Sequence, residues 1–198
     1  MNSTTQQAFP SRAADLTERA RHGGFTLIEV LITIALASIL LTIAIPSFRY
    51  VTNSNRISGE VNGLLGDLQF ARAEAIKEGR TVSVCVADTL GNCTNATSWQ
   101  NGWIVFSDPA NVGVHDAGET VLRQQAAFSG TDTFNASQGV SVITFNREGY
   151  AIGIANGTLL ELHDATNTNA WTRCLVVNLS GEMTTELYND IANGVTCT

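Results

Sequence analysis

Histidine and charge are both scarce in this sequence of 198 residues. Three histidines, His22, His115 and His163, leave little material for a histidine-rich metal site. No C-x-x-C pair is present to suggest structural zinc. The G-x-S-x-G elbow, the H-E-x-x-H helix, the phosphate-binding loop and the dinucleotide fingerprint are all absent. Nothing in the chain therefore asks for a catalytic site, a metal or a cofactor. Charged residues make up 15%, too few for a disordered acidic tail or a long coiled coil. Eleven basic against eighteen acidic residues give a net charge of −7. A broad nucleic-acid surface needs clustered Lys and Arg, so that class is disfavoured.

Apolar residues, at 44%, suffice for one domain with a core. A mean hydropathy of +0.08 points to one concentrated apolar segment. That segment is Phe25–Ile45, 21 residues with a single charge, Glu29. As a helix it spans roughly 31 Å, the thickness of a bilayer core. A cleaved secretory signal has a shorter apolar stretch, ~7–15 residues, and ends in small residues. Here Pro46, Ser47, Phe48, Arg49 and Tyr50 follow without an A-x-A site, so the segment reads as a retained anchor. Residues 1–24 are polar and carry Arg12, Arg19 and Arg21 against Asp15 and Glu18. Basic residues beside a membrane helix favour the cytoplasmic side, which puts the rest of the chain outside the cytoplasm. The four cysteines are then expected to pair.

Glu29 is the anomaly. A carboxylate five residues into a membrane helix costs a few kcal/mol and calls for a partner or a route to the headgroups. A free amine at Phe25, made by cleavage after Gly24, would serve when chains pack side by side. The run Arg21-His22-Gly23-Gly24-Phe25-Thr26-Leu27-Ile28-Glu29 resembles the class III signal of type IV pilins and type II secretion pseudopilins. The resemblance implies that prepilin peptidase cuts between Gly24 and Phe25 and methylates the Phe25 nitrogen. It places Glu29 at the fifth mature position, where the family keeps its assembly glutamate. Pro46 matches a common proline of these helices. Further on, Gln69–Ala75, Val82–Cys85, Trp99–Asp108 and Glu119–Arg123 resemble the GspH/FimT branch of minor pilins. The resemblance covers most of residues 22–185. It implies an inner-membrane precursor in a Gram-negative bacterium, with a cytoplasmic N-terminus and a periplasmic head, that later enters a pilus. Its partners would be prepilin peptidase, the inner-membrane assembly platform, and other major and minor pilins.

Beyond Pro46 the helical period persists. Ile57, Val61, Leu64, Leu65, Leu68, Ala71, Ala75 and Ile76 recur at spacings of three and four. The helix is expected to reach about Glu78, with Gly79 as its cap. Pro46 predicts a kink or local melting. Gly59, Gly63 and Gly66 either let the helix approach a sheet closely or mark a flexible stretch. From Thr81 the period becomes two, predicting strands at 81–87, 102–107, 120–128, 140–146, 151–154, 158–163 and 173–179, with a further one at 183–187. Residues 111–118, 130–139 and 164–169 read as joins. The expected fold class is α+β, a long N-terminal helix packed on an antiparallel β-sheet head. The expected divisions are a leader over 1–24, the helix over 25–79 with its membrane part at 25–45, and the head over 80–198.

Cys85 and Cys93 close a nine-residue segment with a Gly-Asn turn, which suggests a local disulfide. Cys174 and Cys197 would then pair. Two other connectivities remain open. Asp108, Asn111, Asp116 and Glu119 place oxygen ligands in one loop, but without EF-hand spacing, and read as a solvated turn. Trp99 and Trp103 read as packing residues. Some FimT-like pilins of natural transformation carry a G-R-x-R motif that contacts DNA. The matching positions here are Gly181, Glu182 and Thr184, and an acidic side chain there repels phosphate. Arg123, Arg147 and Arg173 are the remaining candidates for a small basic patch. The function expected is that of a minor pilin in the initiating tip complex. A GspH-like minor pseudopilin of a type II secretion machine and a DNA-uptake pilin are the alternatives.

Overall fold

The computed structural model describes residues 24–109, 112–192 and 194–198. The leader therefore lies outside the described residues except for Gly24, as does Asn111. One helix, α1, runs Leu27–Glu78. Thr26 caps its start, its hydroxyl accepting from the Glu29 N–H at 3.3 Å. Gly79 ends it in the left-handed conformation, at φ 67°, with its N–H on the Ala75 carbonyl at 3.0 Å. The chain divides into two compact units at Ile45/Pro46. Pro46 itself lies inside the helix, which continues on both sides of it, so the local melting anticipated there is not found.

In the second unit the strands follow in order: β1 Val82–Val86, β2 Gly102–Ser107, β3 Val121–Ala126, β4 Thr133–Ala136, β5 Val142–Phe145, β6 Ala151–Ile152, β7 Thr158–His163, β8 Arg173–Val177, β9 Met183–Leu187, β10 Ile191–Ala192 and β11 Val195–Thr196. They form a five-stranded sheet in the order β3-β2-β1-β5-β6, a four-stranded sheet in the order β4-β7-β8-β9, and a small hairpin, β10-β11. Every pairing is antiparallel.

Both main sheets pack against the helix. Ile57, Val61, Leu64, Leu68, Ala71 and Ala75 form its buried stripe, at alternating spacings of four and three. They meet Val82, Val84, Trp103 and Val105 from one sheet and Phe134, Leu160, Leu162 and Leu175 from the other. Leu65 is half-buried and Ile76 is exposed, so the stripe is narrower than the periodicity implied. Trp99 and Trp103 are buried in this core. Strand β1 is buried along its whole length because it lies mid-sheet with both faces covered. On its second face Cys85 joins Ala87, Ile104 and Phe106 in a smaller cluster.

Two local expectations are corrected, and one element was not anticipated. Gly59, Gly63 and Gly66 do not bring the helix close to a sheet; all three are exposed, and a Cβ there would meet open space. Strand β4 occupies a stretch expected to be a join. Its TFNA sequence offers only two apolar side chains, Phe134 and Ala136, and pairing with β7 supplies what local propensity lacks. The β10-β11 hairpin is likewise too short to signal itself in the sequence.

Candidate functional site

Every described residue from 24 to 52 is exposed. The first part of α1 reaches a mean hydropathy of 2.6 over 18 residues, none of it buried. Such a surface is unstable in water and fits a hydrocarbon environment. The segment's hydroxyls are already satisfied within the helix. Thr33 donates to the Val30 carbonyl at 2.9 Å, Ser38 to Ile34 at 2.8 Å, and Thr42 to Ile39 at 2.6 Å. This back-bonding removes their cost in lipid. Glu29 differs: among the described residues of the segment its carboxylate alone has no hydrogen-bond partner. It sits in the first turn, where the helix N-terminus favours a negative charge. Phe25 precedes the helix with 81% of its surface exposed. The segment thus presents an apolar rod with one acid in its first turn.

The second unit is held to its half of the helix by three polar clasps that sequence reasoning missed. Asp67 accepts from the Trp103 indole N–H at 2.9 Å and from Arg123 at 3.0 Å. The same Arg123 guanidinium lies 3.7 Å from the centre of the Phe70 ring. Arg72 donates from Nε to the Gly149 carbonyl at 2.9 Å and reaches the Ser180 carbonyl at 3.4 Å. Arg56 pairs with the buried Asp132 at 3.0 Å. Each clasp joins residues far apart in sequence, and no local pattern announces such pairings. Phe70, Arg72, Trp103 and Arg123 all lie in the stretches that carry the resemblance, and the clasps supply a physical reason for those residue types.

Gly181 has a structural role in the second clasp. At φ 76°, with an added Cβ only 2.1 Å from the Gly149 oxygen and 2.7 Å from Arg72 Nε, glycine is required there. Glu182 beside it is exposed. The three arginines considered as a basic patch have separate partners: Arg123 has Asp67, Arg147 has Glu148 at 2.7 Å, and Arg173 has the Ala170 and Thr172 carbonyls.

The acidic loop is not simply solvated. Asp108 turns inward and is fully buried. Its Oδ2 accepts from the Ser83 hydroxyl and the Gly113 N–H, each at 2.5 Å, and Ser83 in turn meets Thr144. Glu119 accepts from the Asp116 N–H at 2.9 Å. One oxygen of each carboxylate is engaged with the loop's own backbone or the sheet beneath, while Asp108 Oδ1 and Glu119 Oε1 are buried without a partner; among the described residues no metal-binding cluster occurs.

Disulfides join Cys85 to Cys93 and Cys174 to Cys197. The first closes a turn organised by Asp88, whose Oδ1 accepts from the N–H groups of Leu90 and Asn92, both at 2.9 Å. Hydrogen bonds, those from Asn92 foremost, hold the Asp88 carboxyl below its ordinary range. The second ties the C-terminus to β8.

Residues 60–181 match the family described as type II transport protein GspH. The chain belongs to the GspH family. Residues 19–45 match the prokaryotic N-terminal methylation motif, which brackets Gly24, Phe25 and Glu29. The GspH-family fold is also seen in the type IV minor pilin FimU of Pseudomonas aeruginosa strain PAO1, solved in two crystal forms. Each form is 19% identical to this chain. The first covers 76% of this chain and 99% of FimU with a TM-score of 0.55. The second covers 73% and 99%, with a TM-score of 0.52. No curated protein matches the chain. With its methylation motif, this GspH-family chain is a member of the minor pilins and pseudopilins. Such proteins are structural subunits, anchored by an apolar N-terminal helix, processed by prepilin peptidase and incorporated with other pilins.

Proposed function

We propose that this protein is a minor pilin of a type IV pilus, acting in the complex that initiates the filament. The inner-membrane precursor, with its N-terminus cytoplasmic and its head periplasmic, is cut between Gly24 and Phe25, and the new Phe25 nitrogen is methylated. The apolar helix then leaves the bilayer for the filament. There Glu29 cancels the positive N-terminus of a neighbouring subunit, because an unpaired charge in an apolar core is expensive. Pro46, which cannot donate to the Thr42 carbonyl, gives the helix a point of bending as the subunit moves. The reading is carried by one observation: among the described residues of the exposed apolar segment 25–45, the Glu29 carboxylate has no hydrogen-bond partner while Thr33, Ser38 and Thr42 close back on the helix.

The family's description as a type II transport protein favours a second reading, a minor pseudopilin of a secretion machine. A clean deletion in the native host separates the two. Pilus assembly and twitching, DNA uptake, and secretion of type II substrates are scored together. Loss of pili with secretion intact is the expected result. Loss of secretion with pili intact would assign the protein to the secretion machine. Loss of DNA uptake alone, with pili present, would favour the DNA-uptake reading instead.

A further inference from the structure

The exposed face of the helix at Gly59, Glu60 and Gly63 borders a groove of about 370 Å³. Arg56, Trp103, Gln125 and Phe128 are among its other lining residues. Three features of this groove point to one kind of occupant.

The first is a charge deficit. Arg56 is the cation here, and it is engaged by Asp132, whose side chain is fully buried. Asp164 draws on Arg56 as well. Glu60 lies beside Asp132, hydrogen-bonded carboxyl to carboxylate, and its Oε2 is shut off from solvent with no cation donating to it. Burial, and then the Asp132 carboxylate, raise the Glu60 carboxyl to about 7, against the pull of Arg56. One guanidinium thus serves several acids, and Glu60 lacks a cation. The second feature is aromatic. Phe128, half-buried and edge-to-face with the buried Trp103 at 6.0 Å, offers ring surface of the kind that attracts guanidinium and ammonium groups. The third is access. Gly59 and Gly63 have open space where side chains would stand, so the groove can be approached from solvent.

We propose that this groove docks one basic side chain, an arginine by preference, from a different pilin subunit, with Glu60 as its counter-ion and Phe128 as its aromatic wall. The choice of a different subunit rests on this chain's own charges. Without the leader, eight basic residues face sixteen acidic ones. Seven of those eight, all but Arg49, already hold an acid or a backbone carbonyl of the same chain. A second copy therefore has little to offer the groove. The proposal rests on the reading of the protein as a filament subunit, and its test separates the two.

The mature full-length chain is held in detergent micelles with 13C-labelled glutamate carboxyls and followed by NMR. The probes are N-acetyl-arginine amide and its neutral isostere N-acetyl-citrulline amide. Each is added to about 50 mM, because a single side chain binds in the millimolar range at best. Arginine should lower the apparent Glu60 pKa saturably by at least one unit, about tenfold in proton affinity, and citrulline should not. Equal effects of the two probes, or no saturable change with arginine, would overturn the groove as a cation site. In cells, Glu60→Gln should reduce recovery of the protein in sheared filaments about fivefold or more at unchanged membrane level. Normal recovery of Glu60→Gln despite binding in micelles would overturn the assignment to a pilin partner. If Arg49→Gln reproduces the loss, the occupant is a second copy and the choice of a different subunit is wrong. Absence of even the wild-type protein from filaments would instead sink the filament reading and leave the micelle result standing.

Discussion

The residues before Pro46 and those after it use apolar side chains in opposite ways. Before it, Leu27, Ile28, Leu36, Ile39 and Leu40 are all exposed, and the helix buries nothing of its own. After it, one narrow stripe from Ile57 to Ala75 is buried to completion against two sheets. The polar groups differ in the same sense. In the first region hydroxyls close back on the helix and one acid is left without a partner. In the second, acids and arginines reach across to other elements. The first region thus buries its apolar surface only in a bilayer or among other helices, whereas the second buries its own stripe within itself. One continuous helix carries both behaviours because helix propensity does not depend on what the side chains face.

Four experiments sharpen that contrast. The largest effect is expected from Glu29→Ala. The protein should fractionate with membranes as the wild type does and be lost from sheared filaments, measured by immunoblot of both fractions. Normal recovery in filaments would remove the assembly role of Glu29. Next, Leu64→Ala should lower the stability of the head by about 2–5 kcal/mol in denaturant melts, as expected for a fully buried leucine. Leu40→Ala, at a position 68% exposed, should leave the same melt unchanged. Comparable losses from the two variants would break the distinction between the regions.

Removing the disulfides comes third. Replacing Cys174 and Cys197 by serine opens a separation of 23 residues, which loop entropy values at about 3.4 kcal/mol. The Cys85/Cys93 pair spans 8 residues and is worth about 2.5 kcal/mol on the same scale. Thermal melts of the two double variants should keep that order. The smallest effect concerns pH. Glu60 titrates at about 7 in the folded chain against an ordinary 4.5, so the folded state holds this proton more tightly than the unfolded one. The stability it supports is present at low pH and is lost as pH rises through that window. Glu60→Gln should flatten this decline, which melting temperatures at about pH 5 and about pH 8 would reveal. An unchanged slope would show that Glu60 does not carry it.

Much of this arrangement can be read from the chain before folding. The apolar run, the G-F-T-L-I-E sequence and the three-four spacing of the stripe are local patterns, and each specifies what its own segment does. The span of α1, its glycine cap and most of the strands follow from them. The strand TFNA escaped because its partner strand, rather than its own composition, makes it a strand. The inward turn of Asp108 escaped because an acid in a loop looks the same from the sequence whether it meets water or a buried serine. In the sequence the glycines of the helix suit either a close approach to a sheet or a flexible stretch; in the fold they face outward, and Gly59 and Gly63 border an open groove.

What the sequence by itself determined is the anchor, the processing signal and the alternation between helix and sheet. These depend on periods of a few residues and on the chemistry of single positions. Only the tertiary structure decided which acid meets which base. Asp67 with Trp103 and Arg123, Arg72 with Gly149, and Glu60 left beside Asp132 with Arg56 already engaged are all long-range facts. The physical reason is that a charge's partner is chosen by distance in space, and distances between remote residues exist only once the core has closed.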